Sequence, residues 1–333
     1  MPADYHKPVL VQEVCAALVP PLRAAVTAGR QAIFVDCTCG GGGHTEALLL
    51  ALAGEMAEIS DIPAGTPPPR FLALDRDPEA LAHARLRLPD VEFIHTPFSQ
   101  LGRVLDEAGV STATAILADL GVSSHQLDTA GRGFSFQTNA ALDMRMDQGQ
   151  GPTLAELLAT MDEQSLTRIL RELGEEPDAA RIARGVVAAR PRTTLALGEV
   201  VRASMSAPRL RQIGLRIHPA TRTFQALRIH LNRELQELDQ LLIDAPARLA
   251  VGGRLGVISF HSLEDRRAKQ RFAGLSRAES LPAGIPILAA DLPRARFTIP
   301  DPFRHGATPA EPELAHNPRS RSSRLRVLER VLP

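Results

Sequence analysis

Residues 35–45 read VDCTCGGGGHT, in which an acid and two cysteines run into four consecutive glycines. Glycine runs bring backbone close to a ligand, because they lack Cβ and tolerate positive φ. Three acids surround this one in sequence pattern: Asp36 just before the loop, Asp75 at the end of FLALD, and Asp119 at the end of TAILAD. A phosphate-binding loop needs G-x-x-x-x-G-K-[ST], with a lysine reaching the phosphates. The chain has only Lys7 and Lys269, so nucleoside triphosphate hydrolysis is not expected. A dinucleotide fingerprint needs a sixth-position glycine. Here that position is Thr45 counted from Gly40, or Glu46 counted from Gly41. Carboxylates beside the loop would repel a pyrophosphate, but they suit an amino group or a sulfonium. Asp75 stands where such folds hold ribose hydroxyls. The combination fits S-adenosylmethionine, an adenosine without phosphates that carries an amino-acid tail and a positive sulfur. The plainer alternative is that Asp36 and Asp119 each cap a turn at a strand end. Cys37-x-Cys39 is not a zinc spacing and the histidines are scattered, so no metal is expected.

These acids need strand ends to hold them. Residues 32–36, 71–77, 91–95, 114–121 and 253–260 read as short buried strands, and 324–330 as a last one. Helical spacing follows the glycine loop from His44 to about Leu52, fills 78–87 behind Pro78, and runs from about 221 to 248. The segment 58–70 is a Pro-rich loop. Strands alternating with helices imply an α/β fold, with a mostly parallel, doubly wound, Rossmann-like sheet. From 152 to 216 the pattern is helical without a strong strand. Residues 141–216 are therefore expected to form an inserted helical subdomain, with 1–140 and 217–333 making the two parts of the sheet domain.

Composition bounds the setting. At 333 residues and 44% hydrophobic, the chain can bury a sizeable core, and with 4% aromatics that core is aliphatic. Three cysteines without a disulfide framework imply a reducing, cytoplasmic compartment. No signal core or membrane-length apolar run is present, so no membrane partner is expected. Net charge is zero but sorted: residues 181–233 hold 11 Arg, no Lys and one acid, Glu199. A bias this steep in a neutral protein suggests a surface for polyphosphate, although charge runs are more often plain solvated faces.

Nine stretches occur in order over nearly the whole chain: HKPVL (6–10), VDCTCGGGGHT (35–45), LALDRDP (72–78), ADLGVSS (118–124), RGFSF (132–136), LDMRMD (142–147), HPATRTFQALRIHLNRELQ (218–236), GGRLGVISFHSLEDR (252–266) and NPRSRSSRLRVLER (317–330). Together they resemble the bacterial 16S ribosomal RNA cytosine-N4 methyltransferases. The resemblance implies a class I S-adenosylmethionine-dependent methyltransferase fold with an inserted helical domain. It implies methylation of the exocyclic amino group of one cytidine in the decoding region of 16S rRNA, in the small ribosomal subunit. Carried over by motif, the donor would contact Gly42, Gly43, His44, Asp75, Phe98, Asp119 and Gln126. Cys39 and His125 depart from the usual pattern, at positions not carried over.

The cytosine amino group is a poor nucleophile, because its lone pair is delocalised into the ring. It must be placed in line with methyl and sulfur and held by hydrogen-bond acceptors. Related amino methyltransferases place these just after the fourth strand, which implies Asp119, Ser123 and Ser124. Phe134 and Phe136 either stack on an extruded base or belong to the core. His261 either faces substrate or merely precedes a capping box at Ser262 and Asp265. Arg209, Arg211 and Arg216 are the RNA-contact candidates, and the Arg-rich tail 318–326 either touches RNA or forms an edge strand. A methyltransferase for another nucleic acid or a small molecule, and a non-catalytic assembly factor on the same fold, are the rival readings. Amino methyltransferases of DNA carry a [DNS]-P-P-[YFW] motif after the fourth strand, and none is present.

Overall fold

The computed structural model describes residues 8–214, 218–278 and 294–333. Two compact units emerge, one made of Met1–Gly121 with Gln236–Pro333, the other of Val122–Leu235.

The first unit carries one seven-stranded sheet. Its strands are β1 (Ile33–Asp36), β2 (Arg70–Asp75), β3 (Glu92–His95), β4 (Ala113–Asp119), β5 (Leu249–Ser259), β6 (Phe297–Thr298) and β7 (Arg324–Arg330), ordered β3-β2-β1-β4-β5-β7-β6. All pairings from β3 through β5 are parallel, and β7 alone runs opposite to the rest. This is the doubly wound, mostly parallel architecture that the resemblance implies. The central strands β1, β2 and β4 are apolar on both sides, as a covered parallel sheet requires. Phe34, Phe71, Ala73, Ala115 and Leu117 face one core cluster, and Val35, Leu72, Leu74, Ile116 and Ala118 face the other. The first cluster is closed by α1 (Val11–Thr27), α2 (Gly43–Ala57) and α3 (Pro78–Arg87). The second is closed by α4 (Leu101–Glu107) and by two helices that come after the insertion.

Helix α1 has no counterpart among the expected elements. Pro20 and Pro21 sit inside it, yet Leu18, Leu22, Ala25 and Val26 are buried along one face. Tertiary burial here outweighs the roughly 3 kcal/mol that an interior proline costs. Strand β7 is paired on both sides, to β5 and β6, so the edge-strand alternative for the Arg-rich tail does not hold.

The second unit is helical: α5 (Ser124–Asp128), α6 (Leu154–Thr160), α7 (Glu163–Gly174), α8 (Ala179–Ala189), α9 (Thr194–Ser204), α10 (Ala207–Ile213) and α11 (Thr221–Leu231). It is wider than residues 141–216, because Phe134 upstream and Phe224 and Leu227 downstream bury into the same cluster as Leu158, Leu170 and Val201. The expected continuous helix from 221 to 248 is also two helices. Arg233 adopts a left-handed φ of 54°, and α12 (Glu234–Ala247) starts anew after it. Two further helices, α13 (Ser262–Leu275) and α14 (Glu311–His316), complete the first unit. No helix among the described residues is long and apolar enough to cross a membrane.

Candidate active site

Strand β1 lies between β2 and β4, with Asp36 in register with Ala73 on one side and Leu117 on the other. Strand order reverses here, and ligands of open α/β sheets bind outside the carboxyl ends of the strands at such a point. Asp36, Asp75 and Asp119 close β1, β2 and β4, so one sheet edge gathers all three.

The glycine loop is tied to each of them. Gly40 N–H donates to Asp75 Oδ2 at 2.7 Å, and Asp77 N–H donates to Asp75 Oδ1 at 2.8 Å. Thr38 N–H donates to Asp36 Oδ1 at 3.1 Å, and the Thr45 hydroxyl donates to Asp36 Oδ2 at 2.7 Å. Asp119 N–H donates to Thr38 Oγ1 at 2.6 Å. Arg87 of α3 donates to the carbonyl of Gly41 and pairs with Glu46.

Two of the glycines have packing reasons of their own. Gly42 has φ 83°, and a Cβ on it would meet Leu88 Cδ1 at 2.8 Å. A Cβ on Gly43 would meet Pro8 at 3.0 Å. The loop is thus compressed between α3 and the segment before α1, and it delivers α2 with its first-turn N–H groups toward the strand ends. Those N–H groups favour an anion, whereas the side chains around them are acids.

Burial of the three acids raises their cost as anions. It pushes Asp36 up to about 6, against hydrogen bonds from Thr45 and Thr38 that pull it down. It pushes Asp75 up to about 6, against the N–H groups of Asp77 and Gly40. Asp119 rises to about 7 through burial, with Asp36 and Glu264 adding to the rise and His44 opposing it. Carboxylates held this high are poised for a positive ligand, which would restore their charge. An ammonium and a sulfonium on one molecule, with ribose hydroxyls and a carboxylate, match this mixture of acids and helix N–H groups. Gly42, Gly43, His44, Asp75 and Asp119 therefore come together in one unit. Phe98 opens a short 3₁₀ turn after β3 and packs half-buried against the second core cluster. Thr38 is a site residue that the sequence reading did not single out. Asp36 was legible as the acid before the loop, whereas Thr38 carries no sequence signal beyond its place.

Ser123, Ser124 and Gln126 belong to the helical unit. Ser123 is the N-cap of α5: its Oγ accepts from Gln126 N–H at 3.1 Å, and Gln126 Oε1 accepts from Ser123 N–H at 3.1 Å. Ser124 is the first residue of that helix. Phe134 is buried in the core of this unit. Phe136 stacks on His218, with centroids 4.2 Å apart and planes 16° from parallel, and meets Phe224 edge-on.

Among the arginines, Arg209 turns inward. Its side chain is 12% exposed and lies 3.5 Å from the fully buried carboxylate of Glu176. Arg190 donates to the carbonyls of Leu158 and Met161, and Arg228 pairs with Glu234. Arg181, Arg184, Arg192, Arg202, Arg211, Arg222 and Arg233 lie at the surface of the unit, to differing degrees. Arg216 lies outside the described residues.

His261 is the N-cap of α13, and the box partner is Glu264 rather than Asp265. Glu264 accepts from Phe260 N–H at 2.9 Å. Asp265 instead forms a bidentate pair with Arg326 of β7 at 2.6 and 2.9 Å, which turns that part of the Arg-rich tail inward.

Comparison with known proteins adds an independent line. The chain is 44% identical over 332 residues to "Ribosomal RNA small subunit methyltransferase H" of Thiobacillus denitrificans, covering 98% of this chain and 97% of the relative. It is 45% identical to the protein of that name in Azoarcus sp., over 90% and 91% of the two chains. It is 43% identical to that of Thermobifida fusca, over 99% and 94%. The model of the MraW methylase family matches residues 3–331. With the acids, the glycine loop and the sheet order in place, the chain belongs to the MraW methylase family and is an S-adenosylmethionine-dependent methyltransferase.

Proposed function

We propose that this protein transfers a methyl group from S-adenosylmethionine to the N4 amino group of one cytidine in the decoding region of 16S rRNA, with the small ribosomal subunit as its partner. The observation that carries this reading is the convergence of Asp36, Asp75 and Asp119 on the glycine loop at one sheet edge. The bound donor supplies a methyl group already activated by its sulfonium. Asp75 accepts from the ribose hydroxyls with the lone pairs left by Gly40 and Asp77, and Phe98 lies against the adenine. Gly43 and His44, the first residues of α2, offer backbone N–H groups to the tail carboxylate, while Gly42, whose N–H donates to the Cys39 carbonyl at 2.8 Å, lets the backbone approach. Asp119 faces the positive end of the donor and accepts from the cytosine amino group, turning its lone pair toward the methyl. The product amine loses its proton readily, so no strong base is needed before attack.

Relatives named for the small ribosomal subunit and the surface arginines of the helical unit support an RNA substrate. The contacts belong to Arg211 and its surface companions rather than to Arg209. Ser123 and Ser124 follow Asp119 closely in the chain and are the remaining candidates to orient the base, and Gln126 is a candidate contact of the donor.

The test is incorporation of labelled methyl from S-adenosylmethionine into small subunits from a strain lacking this protein, followed by nucleoside analysis. N4-methylated cytidine confined to 16S rRNA is expected. Label on another base, or donor binding without incorporation into any RNA, would overturn the reading.

A further inference from the structure

Val9 takes no part in the function above, yet it reaches the site. The carbonyl oxygen of Val9 meets His44 Nε2 at 2.8 Å. A carbonyl only accepts, so Nε2 carries the hydrogen. The other ring nitrogen, Nδ1, faces Asp119 Oδ2 at 3.6 Å. The two side chains are 6% and 9% exposed, so little water separates them. A neutral His44 against an ionised Asp119 would set a nitrogen lone pair against a carboxylate lone pair. One further proton removes that conflict.

We propose that the His44 side chain is a positioning residue that keeps this proton on Nδ1, so that Asp119 meets the donor and the amino group as an anion. Val9 holds the ring and dictates which nitrogen is left to do so. The groups facing Asp119 from its neighbours are Asp36 on β1, Glu264 on α13 and His44 on α2. Only His44 favours the ionised form, while burial and the two acids favour the neutral one. Thr38 Oγ1 fixes the Asp119 backbone at 2.6 Å, so the place of this acid and its charge are set by different residues. The shared proton balances the site: the pair is neutral before the donor brings its own positive charge.

This inference rests on the donor-facing role of Asp119 given above, and two measurements separate the failure of either. The first is ¹⁵N imidazole NMR of the unmodified protein with S-adenosylmethionine bound, with His44 assigned through its own backbone resonances. Both ring nitrogens of His44 are expected to carry hydrogen in that complex. A bare Nδ1 in the donor complex overturns the proposal, whereas absence of donor binding overturns the function instead. The second is donor affinity by calorimetry from pH 5.5 to 9 in the parent and in His44→Phe. Loss of the facing imidazole is expected to move the acid-side midpoint up by about one pH unit or more. An unchanged midpoint with affinity lowered equally at every pH would mean that the ring only packs, and would also overturn the proposal. If His44→Phe fails to fold, the NMR measurement on the parent decides alone.

Discussion

Asp119 is a carboxylate whose burial is useful only when something positive faces it. The folded chain binds its proton more tightly than the unfolded chain, since its carboxyl rises from 3.8 to about 7. Stability contributed by this group is therefore greatest at acid pH and falls as pH rises between about 4 and 7, by up to about 1.4 kcal/mol per pH unit. Asp119→Asn removes that dependence. The variant is expected to melt at or above the parent at pH 8 without donor, and to lose this advantage by pH 5. Its single-turnover methylation of small subunits at saturating donor should fall by about 10²-fold, as removal of one preorganised electrostatic partner does. Full activity with unchanged melting would remove Asp119 from the site. Asp75 combines two jobs that a single substitution exposes together. Its oxygens hold Gly40 and Asp77, and they accept from ribose in the reading above. Asp75→Ala is expected to weaken donor binding at least tenfold, about 1.4 kcal/mol, and to lower the melting temperature modestly. Calorimetry that finds the parent affinity would exclude the ribose contact.

Buried polar side chains join elements in this protein alongside the apolar packing. Asn232, at the end of α11, accepts from Met146 N–H at 2.8 Å and donates to the Met144 carbonyl at 2.9 Å. It thereby holds the LDMRMD loop, in which Met144 takes a left-handed φ of 61°. Asn232→Ala leaves these buried backbone groups unmatched. It should cost about 1–3 kcal/mol or somewhat more, read as a lowered denaturant midpoint. A midpoint equal to the parent's would show that the loop holds itself. Arg209 follows the same logic within the helical unit. Arg209→Gln strands the buried Glu176 carboxylate and is expected to destabilise the protein by about 3 kcal/mol. Its RNA affinity, measured on the folded fraction, should stay at the parent value.

Over the whole molecule, charge divides the labour. The first unit gathers three acids at the strand ends beside the glycine loop, and the second carries the surface arginines. Replacing Arg192, Arg202 and Arg211 with Gln is expected to lower RNA affinity and flatten its salt dependence, by up to about 0.7–0.9 in slope for each phosphate that is no longer neutralised. Donor affinity should not move, and a parent-like salt slope would show that these residues face only solvent. The sequence alone determined the alternation of strands and helices, the insertion after the fourth strand and the ligand class of the glycine loop. Those follow from local pattern: short apolar runs between helical ones, acids at strand ends, and missing phosphate-binding residues. The proline-bearing α1, the break at Arg233 and the inward turn of Arg209 were decided by tertiary structure, because each depends on what a distant segment buries against it. The same holds for the pull of burial on Asp36, Asp75 and Asp119, and for the meeting of Val9, His44 and Asp119. A residue's type is written in the chain, but its charge state and its partner are set by the neighbours that folding brings and the water that folding removes.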